Sequence, residues 1–294
     1  MSGAPKTIGI IGVGNMGGGM ARRLLHLGWE VHVRDIDPLK TQALQSIGAQ
    51  VHTTPASLTA AAERVIVCVI DTPQVESVLF GADGVSQSLR TDQVVVLCPT
   101  LSPEDVEGFG RRLKACGAEM IDAPMSGGPQ RATEGTMSLM VAAPALVREA
   151  NQDLLQALSN LVFIVGEKVG DGARTKLVNN LLAGINLVGA AQVLAMAERM
   201  GLKLETTLDV IERSSGQSWI GSDRLRRAMV GDYSPRAHVT LLKKDTRLAV
   251  EAGDSVGFTP ELGRLAADVF AQAYAAGFEH EDDASVFKLY SQNR

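Results

Sequence analysis

Cysteine is scarce, no one sign of charge dominates and nothing reads as a leader; each absence removes a class of protein. Three cysteines in 294 residues supply no disulfide framework. Cys68 and Cys98 lie inside or at the end of Val/Ile/Leu runs, where a thiol serves as a small buried hydrophobe, and Cys116 falls near a helix end. The five histidines show no ligand spacing with a cysteine or carboxylate, so no metal is expected. The net charge of -5 comes from interspersed acids and bases, which gives no basic footprint for nucleic acid or an anionic membrane. No apolar run approaches the roughly 18 uncharged residues of a spanning helix; the richest, Leu177 to Met196, is interrupted by Asn179, Asn180, Asn186 and Gln192. Pro5 and Lys6 lead straight into Ile8 without the apolar block of a signal peptide. The expectation is a soluble, cytoplasmic protein with neither nucleic acid nor membrane as partner.

What is present begins with an alternation. From Lys6 to about residue 164, short β-branched runs alternate with helical patterns. The strand candidates are Thr7 to Ile11, Glu30 to Asp35, Arg64 to Ile70, Gln93 to Cys98, Glu119 to Ile121, Thr136 to Val141 and Leu161 to Val165. Several are apolar without a break, as strands covered on both faces are, and the alternation predicts a parallel sheet. Beyond Gly166 the rhythm stops and helix follows helix. The reading is a doubly wound α/β domain over 1–165 and an all-helical domain over 166–294. The latter opens with a helix from Asp171 to about Met200 that is apolar over most of its circumference, which predicts burial all round and a path along a subunit interface.

The first strand runs into Gly12-Val13-Gly14-Asn15-Met16-Gly17 and then a helix. Gly12 permits the tight turn, Gly14 lets backbone approach a pyrophosphate, and Gly17 lets helix pack on strand, while the helix N-terminus offers amides to negative charge. With the second strand in register this is a Rossmann-type dinucleotide site. Asp35 lies at the spacing where a carboxylate accepts the adenine ribose hydroxyls, which favours NAD, although neighbouring Arg34 leaves NADP open. Asp35 also fits ordinary turn chemistry ahead of Pro38.

Two further segments bear on catalysis. In Asp122-Ala123-Pro124-Met125-Ser126-Gly127-Gly128, successive amides around Ser126, Gly127 and Gly128 can form a nest for a carboxylate, or the segment is a plain glycine-rich loop. In the second, Lys176 and Asn180 are one helical turn apart and share a face. A lysine in an apolar helix ordinarily snorkels to water; at an interdomain cleft it is instead partly desolvated, its pKa falls, and it can move a proton.

The glycine fingerprint, the Asp-Ala-Pro-Met-Ser-Gly-Gly loop, the Gly172-to-Asn180 helix start and a late Lys244-Asp245 occur in the order and spacing of one family. The chain resembles the β-hydroxyacid dehydrogenases over essentially its full length, including their 6-phosphogluconate dehydrogenase-like helical domain. The resemblance implies an NAD(P)-dependent oxidoreductase acting on a small hydroxy acid, assembled as a homodimer or homotetramer through the C-terminal domain. It implies Lys176 as catalytic acid/base, with Ser126, Gly127 and Gly128 on the substrate carboxylate and Asn180 assisting. It places Lys244 beside both nicotinamide and substrate, and Thr100, Val69 and Ile70 against the cofactor. The chain departs from the family pattern at Lys243 and Thr246, where Lys-Asp-Leu is usual, and at Cys98, where serine is commoner. The segment Ser214 to Trp219 resembles the pocket-closing stretch of hydroxyisobutyrate and serine dehydrogenases, with Trp219 as an apolar wall or a core residue. Arg224 and the turn Gly231 to Pro235 look more like the branch acting on four-carbon sugar acids such as L-threonate. Other substrates of the family (3-hydroxyisobutyrate, serine, tartronate semialdehyde or glycerate) stand as alternatives. So do an imine reductase and a non-catalytic dinucleotide-binding protein, against both of which Lys176 counts.

Overall fold

The computed structural model describes residues 6–291. The chain divides into two compact units, Met1–Lys176 and Leu177–Arg294.

In the first unit, β1 (Thr7–Ile11), α1 (Asn15–His26), β2 (Glu30–Arg34), α2 (Pro38–Gln45), β3 (Gln50–Val51), α3 (Pro55–Ala61) and β4 (Arg64–Val67) alternate along the chain. They are followed by α4 (Thr72–Phe80), β5 (Val94–Leu97), α5 (Pro103–Ala115), β6 (Glu119–Asp122), β7 (Met125–Ser126), α6 (Gly128–Glu134), β8 (Ser138–Ala142), α7 (Ala145–Ala150), α8 (Gln152–Leu158) and β9 (Leu161–Gly166). Helix starts are written in the sequence. Asp37, Thr54, Asp71 and Ser102 cap α2, α3, α4 and α5 through their side chains, each with proline in the first turn. Such a cap contributes about 1 kcal/mol, and proline there gives up no helical hydrogen bond.

Among the described residues the strands form one nine-stranded sheet. Successive residues of a strand face opposite layers: Val94 and Val96 of β5 pack in one buried cluster, Val95 and Leu97 in the other. The pairs β2–β1, β1–β4, β4–β5 and β5–β6 are parallel. The all-parallel expectation fails at the far side, where β8 runs antiparallel to β6 and β7. The link between β7 and β8, residues 127–137, is too short for the crossover that a parallel pair requires. Three strands also end earlier than expected: β2 stops at Arg34, β4 at Val67 and β5 at Leu97.

The second unit is helical. It contains most of α9 (Asp171–Arg199), then α10 (Leu204–Glu212), α11 (Trp219–Met229), α12 (Val239–Ser255) and α13 (Glu261–Ala275). Its core gathers Leu187, Leu194, Leu225, Val239, Phe270 and Phe287. Within the single chain α9 is not buried all round. One stripe remains exposed at helical spacing, with Val178 72% and Leu182 58% exposed and Val193 and Met196 open on the same side. A helix about 43 Å long has more apolar surface than one small core can cover. A second correction concerns the same helix, which by length and composition is apolar enough to cross a membrane, with 44% of its most apolar 18-residue window buried within the chain. Scattered asparagines did not lower its hydropathy below that threshold, and the core helices of globular domains meet the same criterion.

Candidate active site

The glycine-rich turn after β1 is shaped by steric limits that its own backbone and the segment after β4 impose. Gly12 adopts φ 87°, and a Cβ there would sit 2.5 Å from the Cys68 carbonyl oxygen; a Cβ at Gly17 would lie 2.0 Å from the Gly12 oxygen. Gly14 differs: an added Cβ would meet nothing within 4 Å. The space above Gly14 opens on a cleft of about 390 Å³ within the first unit, whose walls include Asn15, Gly18, Arg22, Leu39 and Lys40. The first-turn amides of α1 lack carbonyl partners within the helix. The Gly17 amide is taken by the Cys68 sulfur, while the other first-turn amides, two cations and open space over the backbone suit a dinucleotide pyrophosphate.

Asp35 serves the turn and the loop at once. Its Oδ2 accepts from the Val13 amide (2.7 Å) and its Oδ1 from the Asp37 amide (2.9 Å). Each carboxylate oxygen keeps acceptor capacity for a ribose hydroxyl, and the residue also fixes the loop that the cofactor would lie on. Met16 packs against the core while Asn15 is exposed. Val69 and Ile70 lie past the end of β4 rather than in it, with Ile70 exposed, and Thr100 follows β5 half-buried. Burial pushes the Cys68 thiol up to about 12 and Cys98 also well up, as expected of packing residues.

One prediction follows from Gly14. Gly14→Ala is expected to leave the thermal midpoint within a degree or two of the parent, because the methyl group enters open space. It should raise the dinucleotide Kd about tenfold or more, because that space is where a pyrophosphate would meet the backbone. A fluorescence titration alongside a melting curve checks both halves.

Ser126 ends β7, and Gly127 and Gly128 follow at φ 133° and 77°, conformations that side chains rarely adopt. A Cβ on Gly128 would meet nothing, so the backbone there is open to a ligand. Lys176 does not snorkel: on α9 it is only 7% exposed, and Asn180, one turn later, is 9% exposed. In the second unit Asn180 Nδ2 donates to Asp245 Oδ2 (2.6 Å), and Lys244 Nζ donates to Asp245 Oδ1 (2.7 Å). Asp245 is itself buried. One carboxylate therefore gathers two residues that the sequence assigned separately, and its own role was missed although it stands next to Lys244.

In the sequence Asp122 is likewise legible only as the first letter of a motif. It is 1% exposed and accepts from the amides of Gly170 (2.9 Å) and Ala173 (3.0 Å) where α9 begins. The departures from the family pattern also find reasons. Lys243 lies over the Tyr274 ring at 3.6 Å, and Thr246 Oγ1 donates to the Leu242 carbonyl while its methyl sits close to Gly184. Trp219 is half-exposed at the start of α11, so the core alternative for it does not hold. Arg224 is buried among Asp223, Asp282 and Asp283 and is committed to carboxylates of its own unit. Among the described residues no group of three or more His, Cys, Asp or Glu is placed to hold a metal.

Residues 7–166 match a family model described as the NAD binding domain of 6-phosphogluconate dehydrogenase, and residues 170–290 one described as the NAD-binding of NADP-dependent 3-hydroxyisobutyrate dehydrogenase. The chain is 35% identical to the L-threonate dehydrogenase of Cupriavidus necator, over 97% of this chain and 96% of that one. Its structure is similar to that of the 3-hydroxyisobutyrate dehydrogenase of Salmonella typhimurium, with 30% identity, 97% of this chain and 100% of that one covered, and a TM-score of 0.91. It is also similar to Psf3 in complex with NADP+ and 2-OPP, at 30% identity over 97% and 100% of the two chains and a TM-score of 0.90. The first unit is a Rossmann NAD(P)-binding domain. With both halves matched and such identity over nearly the full length of its relatives, the chain belongs to the β-hydroxyacid dehydrogenase family.

Proposed function

We propose that the protein is an L-threonate dehydrogenase, oxidising a four-carbon sugar acid at a carbon-bound hydroxyl with Lys176 as general base. The observation that carries the reading is the pair Lys176 and Asn180, both buried on one face of α9, in a chain 35% identical to an L-threonate dehydrogenase along its whole length. Bound NAD(P) supplies the acceptor for the hydride. The nest of Ser126, Gly127 and Gly128 binds the substrate carboxylate, and the Lys176 amine takes the hydroxyl proton as the carbonyl forms. Asn180 holds the hydroxyl in place, and Asp245 orients Asn180 and Lys244. Trp219 supplies an apolar wall. NAD is the preferred cofactor, because the Asp35 carboxylate would lie beside a 2′-phosphate and repel it; Arg22 and Lys40 in the same cleft keep NADP usable.

The test is absorbance of the reduced cofactor when NAD or NADP is mixed with L-threonate, erythronate, glycerate, 3-hydroxyisobutyrate and serine. L-Threonate with NAD is expected to give the highest kcat/KM. Preference for 3-hydroxyisobutyrate or serine by tenfold would move the substrate assignment. Silence with every acid, together with reduction of a cyclic imine, would replace the reaction class.

The protein works in the cytoplasm as a homodimer or homotetramer, with the helical unit as the contact. The exposed stripe Val178, Leu182, Val193 and Met196 supports this, since an apolar row along a helix marks an interaction surface. Leu182→Glu combined with Met196→Glu is expected to shift the light-scattering mass to a monomer. A parent protein already monomeric at micromolar concentration would contradict the assembly.

A further inference from the structure

We infer that Asp122 is a positioning residue for Lys176, locking the helix that carries the amine to the strand that carries Ser126. The inference rests on the roles proposed for those two residues. It begins with an extended segment. Asp122 pairs with Ala142, Met125 with Leu139 and Ser126 with Ser138, and between them the Met140 amide donates to the Pro124 carbonyl at 2.9 Å. Residues 122–126 are therefore one uninterrupted antiparallel partner of β8, although Ala123 and Pro124 are not themselves strand. At about 3.3 Å per residue, Asp122 and Ser126 stand about 13 Å apart on a single rigid rod.

At the other end of the rod the carboxylate grips α9. Asp122 Oδ2 accepts from the amides of Gly170 and Ala173, and the Gly172 amide also contributes a hydrogen bond. A Cβ on Gly172 would fall 2.8 Å from the carboxyl group, so only glycine admits it this close. These are donors that the first turn of a helix leaves without internal partners, and a negative charge there complements the helix dipole. Lys176 follows Ala173 by three residues, about 4.5 Å along the axis, where little play remains between clamp and amine. Both ends of the constellation, carboxylate nest and amine, are thus referenced to β8 through one side chain.

The clamp is also sensitive to protonation. Burial pushes the Asp122 carboxyl up to about 6 even against the three amides, with Asp171 of α9 adding to the rise. Cys98, beyond the end of β5, is the other titratable group whose charge couples to it. Because that value lies above the ordinary carboxylate one, the clamped state takes up the proton more readily than an opened one, so protonation near pH 6 tightens the clamp while removing negative charge from the helix start.

The experiment compares Asp122→Ala and Asp122→Asn with the parent in the holoenzyme. Asp122→Ala is expected to lower kcat at least 30-fold, with dinucleotide Kd within twofold. Asp122→Asn, which keeps an acceptor oxygen, should recover kcat to within about fivefold and lose the limb near pH 6 that is expected in the parent's rate profile. Hydrogen-exchange protection of residues 170–173 should rise as the pH falls through that same midpoint in the parent and stay flat in Asp122→Asn. A kcat within twofold of the parent in Asp122→Ala overturns the inference, as does an unchanged limb and unchanged protection profile in Asp122→Asn. If Asp122→Ala fails to fold, the Asn variant decides alone. If the parent turns over no hydroxy acid, the functional reading fails, and the exchange profiles still judge the clamp.

Discussion

Lys176→Ala is expected to lower kcat by about 10²–10⁴-fold and to leave dinucleotide affinity within about twofold. The range is what a positioned proton carrier contributes to a transition state. It applies here because Lys176 is buried and stands one turn from Asn180, whereas a solvated lysine would cost little on removal. The dinucleotide turn is held by β1, α1 and Asp35, so cofactor affinity provides the internal control. Lys176→Met fills the same volume without the amine and guards against a cavity effect. Its kcat should match that of the alanine variant. Steady-state rates with L-threonate and a fluorescence titration of the dinucleotide measure the two quantities. Activity within threefold of the parent would place the proton carrier elsewhere.

Asp245→Ala is expected to cost about 10²-fold in kcat/KM for the hydroxy acid, close to what a 1 Å misplacement of a positioning group costs. The carboxylate receives Asn180 on one oxygen and Lys244 on the other, so its removal releases two side chains and takes away the carboxylate beside the part-buried Lys244 ammonium. Breaking a buried, hydrogen-bonded charge pair in this way destabilises by about 3–5 kcal/mol where burial is complete, and by less here because Lys244 is 18% exposed. Urea denaturation should therefore show a lowered midpoint for Asp245→Ala. Asp245→Asn keeps one acceptor and should hold the midpoint near the parent while losing activity through a misdirected Lys244. If both variants keep full kcat/KM, Asn180 and Lys244 do not act through Asp245.

Much of this arrangement is legible before any coordinates. The glycine spacing locates the dinucleotide turn because steric exclusion at Gly17 is local, against the Gly12 carbonyl five residues earlier, although the Cys68 carbonyl that excludes a side chain at Gly12 is brought there only by the fold. Helix starts are legible for the same reason, since Asp37, Thr54, Asp71 and Ser102 cap amides two or three residues away. The reversal of β8 is not legible, because a short apolar strand carries no mark of its direction, and β3 and β7, two residues each, fall below any periodicity. The open stripe on α9 was missed for a related reason: composition says that a face is apolar but not whether the chain has enough partners to cover it. Asp122 and Asp245 were read as letters of motifs because their partners lie 48 and 65 residues away. Only the fold brings those partners within hydrogen-bonding distance.

The most direct measurement is a ternary complex of the protein with the oxidised dinucleotide and L-threonate, observed at a resolution that fixes the amine. The account predicts Lys176 Nζ about 2.6–3.2 Å from the hydroxyl on the carbon facing the nicotinamide, with the substrate carboxylate on the amides of Ser126 to Gly128. A substrate hydroxyl held by some other group, with Lys176 Nζ turned away from it, would contradict the account.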